Sequence, residues 1–304
     1  MIMNNYSVKK KILAAALICG VLSAWPLYKT FETNTQKKLM LVNAQPSQEQ
    51  IQTTIIEINS AESTVAETVH KEFNDEHDQL LLELQSAFPL TDNKWATMNE
   101  ELSVIKSQDD LLIENPEIVH AANDHEIVIK VREILASYGI NPARVNVYTV
   151  DEPSSGSFAS AGQGFDGTVI HELKINIAKL PNLTSIIQEA IIRHEIMHLL
   201  HYDSLEHSFI VSTLEENGIE PKVYRLHPTF TSYCKHKELR ADLTAASDNL
   251  EIAQAFQDDF LNRFNENPEN YAKVYASHPS LKQRHEAVSQ LAQYLQAEKQ
   301  VAVV

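Results

Sequence analysis

The sequence predicts a mainly helical α+β protein carrying one small β-sheet. Three observations lead there. Glycine supplies only 7 of 304 residues, about 2% against an average of roughly 7%, which disfavours a turn-rich all-β fold. Two stretches, Arg144–Val150 and Val169–Ile177, carry the period-two alternation of half-buried strands. The rest of the chain after Ile177 reads as helices interrupted near Gly218, Pro221, Pro228 and Pro268. A hydrophobic content of 43% suffices for a core, and the length allows at most about two domains.

In chain order, Lys9, Lys10 and Lys11 precede an apolar run from Ile12 to about Tyr28. A basic segment before an apolar one is an export signal, and the lysines should stay in the cytoplasm. The run spans ~26 Å as a helix against a ~30 Å hydrocarbon core, so residues 1–28 read as a signal peptide or a short signal anchor. The best cleavage site follows Ala24, with a large Leu22 at −3. Cys19 follows a bulky Ile18, which makes a poor lipoprotein signal. Residues 29–114 form a polar and helical N-terminal region. Its first part, about 30–60, reads as a tether or a poorly packed helix. Ile55 to Phe88, with Phe73, Leu80, Leu81 and Leu84 among many acids, reads as one long solvated helical spacer ending before Pro89. Asn115-Pro116 opens a further helix expected to run to Tyr138, with Gly139 as its stop. Gly156, Gly162, Gly164 and Gly167 fall between the two strands, either as a flexible or closely approached loop or as a long hairpin connection.

Charge excludes some functions. With 25 basic and 41 acidic residues the net charge is −16, which disfavours nucleic acid and anionic lipid as partners. Two cysteines, one of them Cys19 in the leader, cannot build a disulfide framework.

Ser185 to Tyr202 reads as a strong helix, opened by Ser185 and Gln188 placed as a capping box. It carries His194-Glu195-Ile196-Met197-His198, an H-E-x-x-H motif. Residues i and i+4 lie ~40° apart around a helix and ~6 Å along it, so the two imidazoles can converge on one zinc. Glu195 can then take a proton from a water whose pKa zinc lowers to roughly 7. The two histidines also continue the stripe of Ile187 and Ile191, which is the alternative of buried core histidines. A catalytic zinc needs a third protein ligand and an open position. His201 sits ~10 Å from His194 along the same helix, too far for one metal. The metzincin pattern would need Gly at position 201 and His at 204, where this chain has His and Ser. Glu238-Leu239-Arg240-Ala241-Asp242 is better placed: Glu238 can ligate while Asp242, on the same helix face, accepts a hydrogen bond from a ligand histidine. A third motif, His278-Pro279-Ser280-Leu281-Lys282-Gln283-Arg284, is weak on spacing alone. Its Pro279 suits the first turn of a helix running to about Gln300.

Taken in order, these three motifs resemble those of the M48 family of zinc metallopeptidases, gluzincins that include the CAAX prenyl proteases. The resemblance covers about residues 115–300 and implies a metallopeptidase domain over 115–304, built around the H-E-x-x-H helix. It implies one Zn2+ per chain on His194, His198 and Glu238, with Glu195 as general base. Asp242 would support a ligand, His278 would face the cleft, and Arg284 would lock the C-terminal helix by pairing with a carboxylate. In that family a strand before the metal helix pairs with substrate, and Val169–Ile177 sits where that strand should be. Many members carry several membrane spans, whereas this chain has at most one, so it looks like the soluble, exported members.

The function expected is that of a zinc metalloendopeptidase acting on protein or peptide substrates. It would be exported to a bacterial periplasm, or anchored in the inner membrane facing it, and serve envelope protein quality control or processing. A rival from another class is a zinc-binding chaperone or assembly factor whose peptidase site is normally closed, with the glycine-rich segment as the plug. A third is a helical adaptor with a fortuitous motif.

Overall fold

The computed structural model describes residues 71–302, apart from 72, 92, 115, 119–124, 153–155, 165–167, 179, 272 and 274–277. The segments read from sequence as a leader (1–28) and as a tether or poorly packed helix (30–60) lie outside the described residues. The elements run α1 (73–87), α2 (Lys94–Gln108), α3 (Glu126–Ser137), β1 (Val145–Val150), β2 (Phe158–Gln163), β3 (Val169–Asn176), α4 (Ser185–Leu200), α5 (Asp203–Glu216), α6 (Pro221–Tyr224), α7 (Pro228–Ala246), α8 (Leu250–Glu266), α9 (Pro268–Tyr271) and α10 (Leu281–Ala302). The protein is mainly helical with one three-stranded mixed sheet of order β1-β3-β2. β1 pairs parallel to β3, from Val145 opposite His171 to Val150 opposite Asn176, and β2 pairs antiparallel to β3. No helix of the described residues is long and apolar enough to cross a membrane.

Both strands read from alternation are present, but the glycine-rich segment is not simply a loop. Phe158–Gln163 is a strand, with Gly162 opposite Ile170. As a consequence β3 lies in the middle, with β1 and β2 on its two sides. The expectation that Val169–Ile177 offers its edge to substrate is therefore corrected: both sides of β3 are already paired, and the edge strands are β1 and β2.

One other boundary shifts. Residues 116–118 are not helical, and α3 starts at Glu126 behind His125, whose side chain accepts from the Ile127 amide. The apolar stripe that a helix needs begins only at Ile127 and runs through Val131, Ile134 and Leu135, all buried. Gly139 does end the helix, in the left-handed conformation at φ 70°.

The main core gathers α3, the inner sheet face, α4, the second half of α7, α8 and α10 around Leu135, Leu173, Ile192, Ile196, Phe256 and Leu295. α4 is buried on several sides and forms the centre of the protein. Ala241, Ala245 and Ala246 on α7 are fully buried in the same core, and side chains this small let α7 approach closely. A second core joins Leu84 and Phe88 at α1 and Trp95 and Met98 of α2 to Ile210 and Leu214 of α5 and Phe230 and Tyr233 of α7. α1 is thus no solvated spacer. It buries Phe73, His77 and Leu84, and its packing face is held by partners more than a hundred residues away.

Candidate metal centre

α4 is fixed at its start by Thr184, whose Oγ1 accepts from the Ile187 amide at 3.4 Å. The expected Ser185–Gln188 capping box does not form. Gln188 instead donates to the carbonyls of Leu180 and Leu183, at 3.0 and 3.2 Å, and Ser185 Oγ accepts from Lys130 Nζ at 3.1 Å. Two turns further on, His194 and His198 emerge on one side of α4, their Nε2 atoms 3.1 Å apart. α7 crosses there and brings Glu238 to both: Oε2 lies 3.6 Å from His194 Nε2 and Oε1 lies 3.7 Å from His198 Nε2. Ligand atoms of the three residues lie within 4.8 Å of one another, and the group could hold a metal ion. His201, excluded from the sequence spacing, closes α4 as its C-terminal cap and is not part of this group.

Each histidine turns its other nitrogen to a carboxylate. His194 Nδ1 lies 2.9 Å from Asp242 Oδ1, although the approach is bent from ideal hydrogen-bond geometry. Asp242 is fully buried and is gripped by Arg284, which donates from Nε to Oδ2 and from Nη2 to Oδ1, both at 2.6 Å. Arg284 reaches it because Ser280 and Gln283 form a reciprocal cap at the start of α10: Gln283 N donates to Ser280 Oγ at 3.2 Å and Ser280 N to Gln283 Oε1 at 3.0 Å. Pro279 thus precedes the cap and does not occupy the first helical turn. His198 Nδ1 donates to Asp203 Oδ2 at 2.6 Å, and Arg240 pairs with the other oxygen of Asp203.

The electrostatics follow from this pairing. Burial alone would raise the Asp242 carboxyl, but Arg284 and His194 hold it well below the usual carboxylate range. Asp203 is likewise held low against burial, chiefly by Arg240 and His198. Burial opposes a charge on Glu238 also, yet His198, His194, Arg284 and His278 lower its pKa. For His198 burial pulls the pKa down, while the bond to Asp203 and the charges of Asp203, Glu238 and Glu195 push it up to about 9. The site therefore gathers negative charge around two imidazoles, as a cation site requires.

Of the residues singled out by sequence, His194, His198, Glu238, Asp242 and Arg284 come together as expected. Glu195 is buried next to His194 on α4, and its charge is felt at His198. His278 is half-exposed at the mouth of the site, its Nε2 3.4 Å from Glu238 Oε1. Asp203 and Arg240 were not singled out. Asp203 follows the end of α4, where periodicity gives no hint that the chain turns back, and Arg240 stands inside the Glu238–Asp242 motif.

The chain matches no family model, no curated protein and no solved structure.

Proposed function

We propose that this chain is a zinc-dependent metalloendopeptidase of the gluzincin type, similar to the M48 family. The observation that carries the reading is the convergence of His194, His198 and Glu238, from two helices, beside the carboxylate of Glu195. A tetrahedral zinc with bonds of about 2.0–2.2 Å sets its donors about 3.3–3.6 Å apart. The three separations here, 3.1, 3.6 and 3.7 Å, are close to that spacing. Two imidazoles and one carboxylate also match the donor set of zinc hydrolases with an open position. Zinc in such a site supplies a Lewis acid and a water acidified towards neutral pH.

The chain's own groups do the rest. Glu195 takes the proton of the attacking water and returns it to the leaving nitrogen. His278, at the mouth, donates to the substrate carbonyl as negative charge builds on it. Edge strand β2 packs beside α4 and α5, and so replaces β3 as the strand to which an extended peptide adds by main-chain hydrogen bonds. Lys9–Lys11 ahead of an apolar run support export to a periplasm, with protein substrates there.

Zinc content measured beside casein cleavage, with and without chelator, tests the reading. Stoichiometric zinc and chelator-sensitive cleavage are expected. Zinc-loaded protein that leaves unfolded protein uncut would favour the chaperone or assembly-factor alternative, and absence of zinc would overturn both.

A further inference from the structure

Between α4 and α5 the backbone does something unusual. Tyr202 adopts φ 55° and ψ 30°, a left-handed conformation that a residue with a Cβ enters only at a cost. Its ring is held there, edge-on to His171 and 5.5 Å below Lys106 Nζ. Strain of this kind persists where the surroundings impose it, and it asks for a purpose. The purpose is visible one residue later. Continued as a straight helix, residue 203 would point about 140° away from His198 around the axis. The left-handed Tyr202 turns the chain back instead, so that buried Asp203 meets His198 Nδ1 at 2.6 Å.

Asp203 is itself held from several sides. Its second oxygen pairs with Arg240, and its carbonyl accepts from Lys237 Nζ at 3.2 Å. Buried Arg240 extends to α1, where Nη1 lies 3.5 Å from Asn74 Oδ1. One turn before Arg240, His236 Nε2 donates to the Phe73 carbonyl at 3.1 Å. The result mirrors the other ligand: His194 is backed by Asp242 and Arg284, and His198 by Asp203 and Arg240.

We propose that Asp203, seated by the left-handed Tyr202 and clamped by Arg240 of α7, which in turn reaches Asn74 of α1, is the positioning residue that fixes His198 as an Nε2 metal ligand, making α1 an integral part of the metal centre. The proposal rests on the metal-centre reading above. Its logic is that a hydrogen bond on Nδ1 selects the tautomer with a free Nε2 lone pair and locks the ring plane. It gives a role to a helix that lies upstream of everything the sequence motifs cover.

The test is zinc affinity by chelator competition on the full chain, wild type against Asp203→Asn, Asn74→Ala and Glu206→Gln. Asp203→Asn should lose about 10–100-fold in affinity, the usual cost of removing such a partner. Asn74→Ala should lose less, in the same direction, and wild-type affinity there would remove α1 from the unit. Glu206→Gln disturbs the neighbouring buried contacts to His77 and Tyr233 without touching His198. It should lower thermal stability and leave affinity unchanged; a loss equal to that of Asp203→Asn would mean general loosening of α5 and overturn the proposal. Should Asp203→Asn fail to fold, nitrogen-15 spectra of zinc-loaded wild type decide. His198 must show a protonated Nδ1 and a metal-bound Nε2, and the reverse would overturn the proposal. Wild type that takes up no zinc defeats the metal centre and this proposal together, whereas Asp203→Asn with wild-type affinity defeats this proposal alone.

Discussion

Arg284 closes on Asp242 with two parallel hydrogen bonds of 2.6 Å, joining the first turn of α10 to the helix that supplies Glu238. The guanidinium also lies 5.1 Å from the Phe260 ring centre, so three helices meet at one charge pair. Removing one partner of a buried pair strands the other, at a cost of about 3–5 kcal/mol. Arg284→Ala should therefore destabilise the chain by about that amount in urea unfolding. Asp242→Asn keeps one acceptor, so it should cost less stability but about 10–100-fold in zinc affinity. The double variant should recover part of the stability loss; strictly additive effects would count against a coupled pair.

The ligand assignment makes a plain demand. His194→Ala, His198→Ala and Glu238→Ala each leave two donors of three, and zinc should be lost on dialysis from all three variants. Metal analysis of the purified proteins is the measurement. Stoichiometric zinc retained by any one of them would remove that residue from the ligand set.

Zinc uptake should also release a proton. Burial lowers the His198 pKa, but its bond to Asp203 and the charges of Asp203, Glu238 and Glu195 push it up to about 9, above its ordinary value near 6.5. A pKa raised on folding contributes stability that is complete below about 6.5 and lost as pH climbs through about 9. Metal-free protein should accordingly melt at lower temperature at pH 9 than at pH 6.5, and His198→Asn should flatten that limb. Between pH 7 and 8 zinc must displace the proton from His198, so titration calorimetry in buffers of different ionisation heat should find about one proton released per zinc. No buffer dependence would contradict this.

The acid side has the opposite sign. Burial, with Lys237 and Arg225, depresses His207 to about 4, against the opposing pull of Asp203 and Glu206. Burial, Arg240 and His77 depress His236 to about 3, against the Phe73 carbonyl and Asp203. Both are neutral when folded and protonated when unfolded below about 6.5, so the stability they contribute is present above that pH and falls as pH drops towards 4. Urea midpoints between pH 7 and 4 should decline, and His207→Gln should shallow the slope.

The grouping of the candidate site's residues was legible because it is written in helical spacing. His194 and His198, like Glu238 and Asp242, are four apart, and i, i+4 places them on one face whatever the rest of the chain does. Strand β2 was hidden because Ala159, Ser160, Ala161 and Gly162 lack the β-branched bulk that marks strands, and their pairing partners on β3 decide the matter. The burial of α1 was hidden because His77 finds Glu206 across 129 residues, a contact that no local pattern encodes. Asp203 was hidden for a third reason: its role depends on a left-handed Tyr202, a conformation that sequence statistics assign to glycine or asparagine.

Glu195 carries the sharpest test. Glu195→Gln preserves size and hydrogen-bonding shape, and Glu195 is not among the three residues that could hold a metal ion, so zinc content should stay at the wild-type level. The amide cannot accept the proton of the attacking water. Loss of a general base costs 10²–10⁴-fold in rate, or ~3–5 kcal/mol of barrier. Casein cleavage should fall by that factor while peptide binding persists, so the variant should retain substrate that the wild type releases as fragments. The effect must appear in kcat and not in KM, because the proton moves only on the way to the transition state. If zinc-loaded Glu195→Gln still rescues a strain lacking the protein, the essential activity is that of a chaperone or assembly factor and the buried carboxylate serves the fold. If it cleaves peptides at the wild-type rate, the proposed role of Glu195 is refuted.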